Sequence, residues 1–250
     1  MTAERATTYL GDLRAKWEQL AELDPLWAVW TDPAHKGQRW DPDAIYKIGE
    51  REVARLMREL DRRGYQFPHS AALDFGCGVG RLTRPLARRF EHVIGLDISA
   101  VMVDFARTET VEPNCVYAVN PDADLRDYGT RSFDFVLCRN VLQHMAPGLI
   151  EGYLSEFVRV LSGEGLLVFQ LPSTRKRDGK DSKEWAALGT ALDRDGYPRM
   201  DMYGIKRRKV AAIIEHSGGR VEETWTDPTA VGWDGYIYLV RRGAAGDVSA

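Results

Sequence analysis

Cysteines are few in this sequence and long apolar segments are absent, and each of these features excludes a class of protein. The chain of 250 residues has three cysteines, with no Cys-x-x-Cys pair and no histidine at zinc-ligand spacing from a cysteine. We therefore expect no metal, and reduced thiols in a cytoplasmic protein. An apolar run of about 18 residues is missing, which predicts no membrane partner, and the first residues lack the apolar segment of a signal peptide.

An excess of positive charge is also missing. Lys and Arg number 34 against 37 Asp and Glu, a formal net charge of −3. Proteins that wrap nucleic acid need a surplus of basic residues to neutralise phosphates. The balance therefore predicts no nucleic-acid partner.

Tryptophan is absent from residues 41–184, although the chain contains seven. Within that stretch, apolar strands alternate with amphipathic helices. The predicted strands are 71–75, 92–97, 115–119, 133–139 and 165–170, and the helices between them are 81–89, 99–107 and 147–161. This alternation is typical of an α/β fold with a parallel sheet covered on both faces.

The chain on either side of this core differs from it. A helix at 7–23, a loop at 24–40 and a helix that begins at Pro42 and ends before Gly64 make up an N-terminal extension, 1–65. The main domain, 66–250, carries a polar insertion, 171–205, with no predicted regular structure. A helix at 206–217 and two strands, 220–225 and 235–240, complete it.

A glycine-rich turn at the end of the first strand is the strongest functional signal. Gly76, Gly78 and Gly80 are spaced G-x-G-x-G, whereas dinucleotide-binding turns have G-x-G-x-x-G. Asp74 lies two residues before the first glycine, and a carboxylate there favours a cationic ligand over a phosphate. Asp97 ends the second strand, where a carboxylate can hold two ribose hydroxyls.

These motifs resemble those of class I S-adenosylmethionine-dependent methyltransferases, in particular bacterial enzymes that act on small molecules. The matching segments are LDFGCGVGR at 73–81, GLDIS at 95–99, DL at 124–125, SFDFV at 132–136, VLQH at 141–144 and LSGEG at 161–165. The resemblance implies a Rossmann-like, doubly wound sheet of seven strands with the last strand antiparallel, preceded by an N-terminal helical cap. It also implies S-adenosylmethionine as the cofactor.

The resemblance assigns the cofactor-binding residues. The turn would contact the methionyl part, Asp97 the ribose, and Asp124 the adenine amino group, with Ile98 and Leu125 beside the adenine ring. Arg139 and Asn140 would face the sulfonium, and Tyr46 is a candidate for the methionyl carboxylate. The further cofactor-binding residues expected are Asp74, Phe75, Gly76, Cys77, Gly78, Arg81 and Met102.

His144 is the candidate catalytic base because it follows the fourth strand, at the sheet edge where ligands bind, and histidine titrates near neutral pH. The alternative is a structural histidine that binds backbone at a helix start. Trp30, Trp40, Tyr203 and Trp233 are the candidate acceptor-binding residues together with His144, since tryptophan and tyrosine stack on sugars or flat rings. Trp185 in the insertion is a further aromatic candidate.

The sequence therefore predicts methyl transfer to a small molecule, with O-methylation of a sugar or natural-product hydroxyl favoured. Two alternatives stay open. The basic residues 175–177 are compatible with a macromolecular acceptor, a protein or tRNA, and a catalytically silent S-adenosylmethionine-binding module would carry the same motifs. Nothing in the sequence indicates an oligomeric state.

Overall fold

The computed structural model describes residues 3–177, 179–180, 182 and 189–243. The chain divides into two compact units. The first, which we call the glycine-loop unit, comprises residues 11–121 and 190–199. The second, the His144 unit, comprises residues 1–10, 122–189 and 200–250. Trp185 lies outside the described residues.

Parallel pairing of three strands forms the sheet of the glycine-loop unit. These strands are β1 (Ala71–Phe75), β2 (His92–Asp97) and β3 (Cys115–Val119). β2 pairs with both of the others, with Asp74 opposite Gly95 and Asp97 opposite Val119. Because all three strands run in the same direction, their carboxyl ends meet at one edge, which is where Asp74 and Asp97 lie.

The described residues of the N-terminal extension and the glycine-loop unit contain five α-helices, which are α1 (Ala3–Leu23), α2 (Pro25–Val29), α3 (Pro42–Arg62), α4 (Thr83–Ala87) and α5 (Ala100–Glu109). Two of them, α3 and α5, have the caps that the sequence predicts. The Asp41 side chain accepts from the Asp43 N–H at the start of α3, and Gly64 follows its end with φ +77°. Ser99 caps α5 by accepting from the Met102 N–H. Both helices therefore begin where the sequence predicted.

The His144 unit has a mixed sheet. Its strands are β4 (Phe133–Cys138), β5 (Leu161–Arg175), β6 (Gly219–Asp227) and β7 (Trp233–Arg242), and its helices are α6 (Pro147–Val160) and α7 (Arg207–His216). β4 and β5 are parallel, whereas β7 pairs antiparallel with both β5 and β6. A short 3-10 turn, Leu142–His144, follows β4.

Among the described residues the strand order is β3-β2-β1-β4-β5-β7-β6, and β7, the last strand along the chain, is antiparallel to its neighbours. This order confirms the predicted α/β, Rossmann-like fold class. No helix among the described residues is long and apolar enough to cross a membrane.

Three sequence predictions were wrong in detail. α1 ends before Asp24-Pro25 as predicted, but the loop predicted at 24–40 begins with a helix: Asp24 accepts from the Trp27 N–H and caps α2, because proline is favoured in a first helical turn. The helix predicted at 81–89 is confined to Thr83–Ala87. The insertion predicted to lack regular structure begins with the end of β5, which pairs as far as Arg175 with Trp233.

Candidate functional site

The glycine turn after β1 needs its glycines for both backbone conformation and space. Gly78 and Gly80 have φ values of +52° and +79°, in the left-handed region that side chains disfavour. A Cβ atom at Gly78 would lie 2.5 Å from Val29 Cγ1, and one at Gly80 would lie 2.5 Å from the Tyr117 hydroxyl. Neighbouring side chains therefore pack directly against bare backbone in this turn.

Asp97 binds the turn from the end of β2. Its Oδ2 accepts from the Gly78 N–H at 2.8 Å, and its Oδ1 accepts from the Ser99 N–H at 3.0 Å. Burial raises the pKa of Asp97, although these backbone donors oppose the shift. A carboxylate has about four acceptor sites, more than these backbone donors use, so Asp97 can still accept from a ligand.

Asp74 is buried beneath the turn, with 1% of its surface exposed. Its Oδ2 accepts from the Thr83 hydroxyl at 2.6 Å. Burial, the main cause, and the negative charge of Asp97 raise the pKa of Asp74 to about 6. A cationic ligand would stabilise the ionised form of such a pair, which agrees with the interpretation of the motif as a site for a positively charged molecule.

The side chains of Tyr46 and Arg81 contact protein groups around the turn. Tyr46 donates to the Val79 carbonyl at 3.1 Å, and burial raises the pKa of its hydroxyl to about 12. Arg81 donates to Glu52 Oε2 at 2.6 Å and lies 5.1 Å from the centre of the Trp30 ring. Arg81 was predicted from the sequence, whereas Glu52 was not. The place of Glu52 on α3, beside the buried face, is the sole sequence feature that could have indicated its contact with Arg81.

Glu18 of α1 is a second residue that the sequence analysis missed. Its carboxylate accepts from the Ser99 hydroxyl at 2.7 Å and from the Ala100 N–H at 2.8 Å. Burial is the largest single effect on the pKa of Glu18 and raises it, but the hydrogen bonds together outweigh burial, and the pKa is lowered. A carboxylate at a helix N-terminus is favourable, and here it fixes the segment that follows Asp97.

The other predicted residues of the glycine-loop unit are buried or half-buried. Phe75, Cys77 and Met102 are buried, and Ile98 is half-buried. Cys77 packs in a cluster with Val103, Ala106 and Tyr117, and burial raises the pKa of its thiol.

Trp40 is held by protein contacts rather than standing free. Its ring stacks on His35 with centroids 3.8 Å apart, and its Nε1 donates to the Trp30 carbonyl at 3.0 Å. Both tryptophans therefore belong to one ordered part of the extension. Their role in acceptor binding stays a prediction.

Asp124 and Leu125, the residues predicted to contact adenine, belong to the His144 unit. Asp124 accepts from Arg126 through both carboxylate oxygens, at 2.8 and 2.7 Å. The Arg126 hydrogen bonds lower the pKa of Asp124. The side chain of Leu125 is buried, and its N–H donates to Glu156 Oε2 at 2.8 Å. The adenine contact predicted for these two residues stays a prediction.

Arg139 and Asn140 follow β4, as the motif predicts, and both are half-buried. Asn140 has φ +60°, an uncommon left-handed conformation for a residue with a side chain. Its N–H donates to Gln170 Oε1 at 3.3 Å. Strained backbone of this kind is often found at functional sites, but by itself it assigns no ligand.

His144 makes hydrogen bonds through both ring nitrogens. Nδ1 lies 2.7 Å from the Asp201 carbonyl oxygen, and Nε2 lies 3.2 Å from Gln143 Nε2. A carbonyl can only accept, so Nδ1 carries the proton and Nε2 is the basic nitrogen. This is the tautomer that a general base at Nε2 requires.

Two of the predicted acceptor-binding residues lie in the same unit as His144. The Tyr203 N–H donates to the Gln143 carbonyl at 2.7 Å, which places this part of the insertion against the turn that carries His144. Trp233 is largely buried, and its ring packs closely on Gly204. Among the described residues, no cluster of His, Cys, Asp or Glu is placed to hold a metal ion.

Comparison with known proteins agrees with these features. Residues 73–169 match a family model described as a methyltransferase domain. The chain is 30% identical over 133 residues to a ubiquinone biosynthesis O-methyltransferase of Mesorhizobium japonicum, an alignment that covers 51% of this chain and 53% of the relative. It is also 30% identical over 124 residues to the N-demethylindolmycin N-methyltransferase of Streptomyces griseus, covering 39% and 52%.

The chain spans about half the length of the curated relatives it matches. Among solved structures, magnesium protoporphyrin IX methyltransferase from Synechocystis with bound SAH has a similar fold, with a TM-score of 0.64 and 20% identity over 93% of this chain and 99% of the other. The family match begins at β1 and includes the glycine turn, Asp97 and His144, so residues 73–169 are similar to a methyltransferase domain.

Proposed function

We propose that this protein transfers a methyl group from S-adenosylmethionine to a small molecule. The observation that carries the proposal is the Asp97 carboxylate, which binds the Gly78 N–H of a turn whose glycines leave no room for side chains. The carboxylate can accept from ribose hydroxyls and attract a cationic group, and the bare backbone beside it supplies N–H donors. This combination is expected for a nucleoside with a cationic methionyl group. When bound, S-adenosylmethionine supplies a methyl group on a positively charged sulfur.

In this proposal, Asp97 accepts hydrogen bonds from the ribose hydroxyls, and the turn contacts the methionyl part. The charge of Asp74 below the turn attracts the cationic end of the cofactor. The extension 1–65 acts as a cap, a role supported by the contacts of Val29 and Tyr46 with the turn.

The acceptor that we favour is a hydroxyl group of a sugar or another natural product. Two relatives that act on small molecules, by their names an O-methyltransferase of ubiquinone biosynthesis and an N-methyltransferase of demethylindolmycin, support a small acceptor. Trp30, Trp40, Tyr203 and Trp233 are the aromatic residues that we assign to its binding. We also propose a reducing, cytoplasmic location, which is supported by three cysteines that form no disulfide among the described residues.

We assign His144 as the general base. Its Nε2 would accept the hydroxyl proton while the oxygen's electron pair forms the new bond to the methyl carbon and the carbon–sulfur pair stays with sulfur. The support is the tautomer, because Nδ1 is bonded to the Asp201 carbonyl and leaves Nε2 as the basic nitrogen.

Calorimetry followed by label transfer tests the proposal. Titration of the protein with S-adenosylmethionine and, separately, with NAD should give binding of the first alone. Label from S-adenosylmethionine should then pass to small molecules of a cell extract, and His144→Ala should lose most of that transfer while it keeps its cofactor affinity. Transfer confined to protein or tRNA would contradict the small acceptor, and binding without transfer to any fraction would identify a silent module.

A further inference from the structure

Four hydrogen bonds form a chain from the Asn140 N–H, just after β4, through two glutamine side chains and His144 to the Asp201 carbonyl. The Asn140 N–H donates to Gln170 Oε1 at 3.3 Å, and Gln170 Nε2 donates to Gln143 Oε1 at 3.0 Å. Gln143 Nε2 lies 3.2 Å from His144 Nε2, and His144 Nδ1 lies 2.7 Å from the Asp201 carbonyl oxygen. We call these bonds the glutamine relay.

Backbone groups fix the direction of the relay at both ends. The N–H of Asn140 can only donate, so the atom of Gln170 that meets it must be the carbonyl oxygen. The carbonyl of Asp201 can only accept, so His144 must donate from Nδ1. Between these ends, each amide presents its oxygen on one side and its nitrogen on the other, and reversing either amide would place two donors or two acceptors face to face.

Gln170 is an unusual residue for its position. It is fully buried in β5, between Phe169 and Leu171, which are also fully buried. Burying an amide costs free energy unless its hydrogen bonds are made, and the relay satisfies both ends of this one. An apolar residue would pack at this site without any need for hydrogen bonds, so packing alone does not account for a glutamine here.

We propose that Gln170 and Gln143 are positioning residues that hold His144 in the Nδ1–H tautomer with Nε2 as a hydrogen-bond acceptor. This inference rests on the proposed role of His144 as the base. Gln143 Nε2 occupies the place at Nε2 where an acceptor hydroxyl would donate its proton. When the methyl acceptor binds, its hydroxyl takes the place of the Gln143 amide as the donor to Nε2. His144 therefore keeps its tautomer and its ring orientation.

Nitrogen spectroscopy reads the relay without any reference to activity. In protein labelled with ¹⁵N-histidine, at about pH 8 where an ordinary histidine is neutral, long-range proton–nitrogen spectra distinguish the two tautomers. His144→Ala identifies the signals. We expect the wild type to show the Nδ1–H tautomer alone, and Gln143→Leu and Gln170→Leu to show a mixture of tautomers or a changed Nε2 shift.

Kinetics complete the test. We expect Gln143→Leu to lower kcat about tenfold, because most of His144 would then carry its proton on Nε2 and could not accept one, with an unchanged KM for S-adenosylmethionine. Gln19→Leu, which removes an exposed glutamine of α1, is the control and should change neither spectrum nor rate. Because Gln143 is only half-buried, its variant keeps the test valid if Gln170→Leu does not fold.

The outcomes separate this inference from the proposed function. An unchanged His144 spectrum in a folded Gln143→Leu variant overturns the relay. Full activity of His144→Ala refutes the base and with it the catalytic purpose of the relay, even where the spectra of the glutamine variants shift as expected.

Discussion

The Gly78 N–H donates to Asp97 Oδ2 at 2.8 Å and so joins the glycine turn to the end of the neighbouring strand. β1 and β2 are parallel and in register, with Phe75 opposite Leu96, so the turn after one strand meets the carboxylate that ends the other. The same carboxylate accepts from Ser99, and Ser99 donates to Glu18. The loop, the acid and the first helix are therefore mechanically coupled.

Asp97→Asn should weaken binding of S-adenosylmethionine about tenfold to a hundredfold, which corresponds to the roughly 1.5–3 kcal/mol of a hydrogen bond to a charged group. The amide nitrogen would face either the Gly78 or the Ser99 donor, and one ribose hydroxyl would lose its acceptor. Calorimetry measures the affinity. Asp104→Asn on the exposed face of α5 is the matched control, and equal affinities of the two variants would exclude ribose binding by Asp97.

Because Val29 packs on Gly78, we expect Val29→Ala to offset part of the stability lost in Gly78→Ala. Gly78→Ala should destabilise the protein by roughly 1–2 kcal/mol from its left-handed backbone, with a further cost from the contact of 2.5 Å with Val29 Cγ1. Val29→Ala removes that atom and leaves only Val29 Cβ, 3.7 Å away. The double variant should therefore lose less stability than the two single losses added together.

Urea unfolding of the four proteins measures this coupling. Gly64→Ala is the control, since Gly64 has φ +77° and a Cβ there would meet no atom within 4 Å. It reports the backbone cost alone. Strict additivity of the Gly78 and Val29 changes would show that the two do not touch in solution.

The sequence was sufficient to predict most strands because their apolar runs are short, bounded and buried. β1, β2 and β3 begin and end where predicted. The cap residues Asp41 and Ser99 were also found, since each precedes a helical pattern with a side chain that can bind the first turn.

Contacts between distant segments could not be predicted. Glu18 binds residues that are 81 or more positions away, and Gln170 binds Gln143 27 positions away. No local pattern marks such a residue, because a charged or amide side chain on a helix or strand is ordinarily solvated. The chemistry of Asp97 and His144 was predicted from their places at strand ends, whereas the groups that hold them required the fold.

The elevated pKa of Asp74 predicts that its contribution to stability falls as pH rises through the acid range. Its pKa is about 6 in the folded protein and 3.8 ordinarily, so between these values this carboxyl binds more protons in the folded than in the unfolded state. The contribution of Asp74 to the free energy of unfolding should then decrease from about pH 4 to pH 6 by roughly 1–3 kcal/mol and stay lower above that range.

Asp74→Asn tests this dependence because an amide does not ionise and can still accept from Thr83. The stability of the variant relative to the wild type should increase between about pH 4 and pH 6, measured by urea unfolding at each pH. A difference between Asp74→Asn and the wild type that does not change with pH would mean that Asp74 titrates normally.

Lys36 should hold the segment 190–199 in place. Its Nζ donates to Asp193 at 2.5 Å and Asp195 at 2.6 Å, and it lies 4.3 Å from the centre of the Tyr197 ring. Asp193 in turn accepts from the Asp195 and Tyr197 N–H groups, so this one ammonium supports the whole turn. Burial is the largest single effect on the pKa of Lys36 and lowers it, but the hydrogen bonds and charges of the two aspartates together outweigh burial. The pKa is therefore raised, and the lysine stays charged at neutral pH.

Lys36→Met keeps the length of the side chain and removes the charge. We expect amide hydrogen exchange in 190–199 to speed up about tenfold, while exchange in β1 and β2 stays unchanged, because local opening needs only the loss of this contact. Lys47→Met, an exposed lysine on α3, is the control and should leave exchange as in the wild type. High salt should mimic the loss in part, since partly exposed ion pairs are screened. Equal exchange in Lys36→Met and the wild type would show that the turn is held by its own backbone hydrogen bonds, such as the one from Asp193 N–H to the Tyr197 carbonyl.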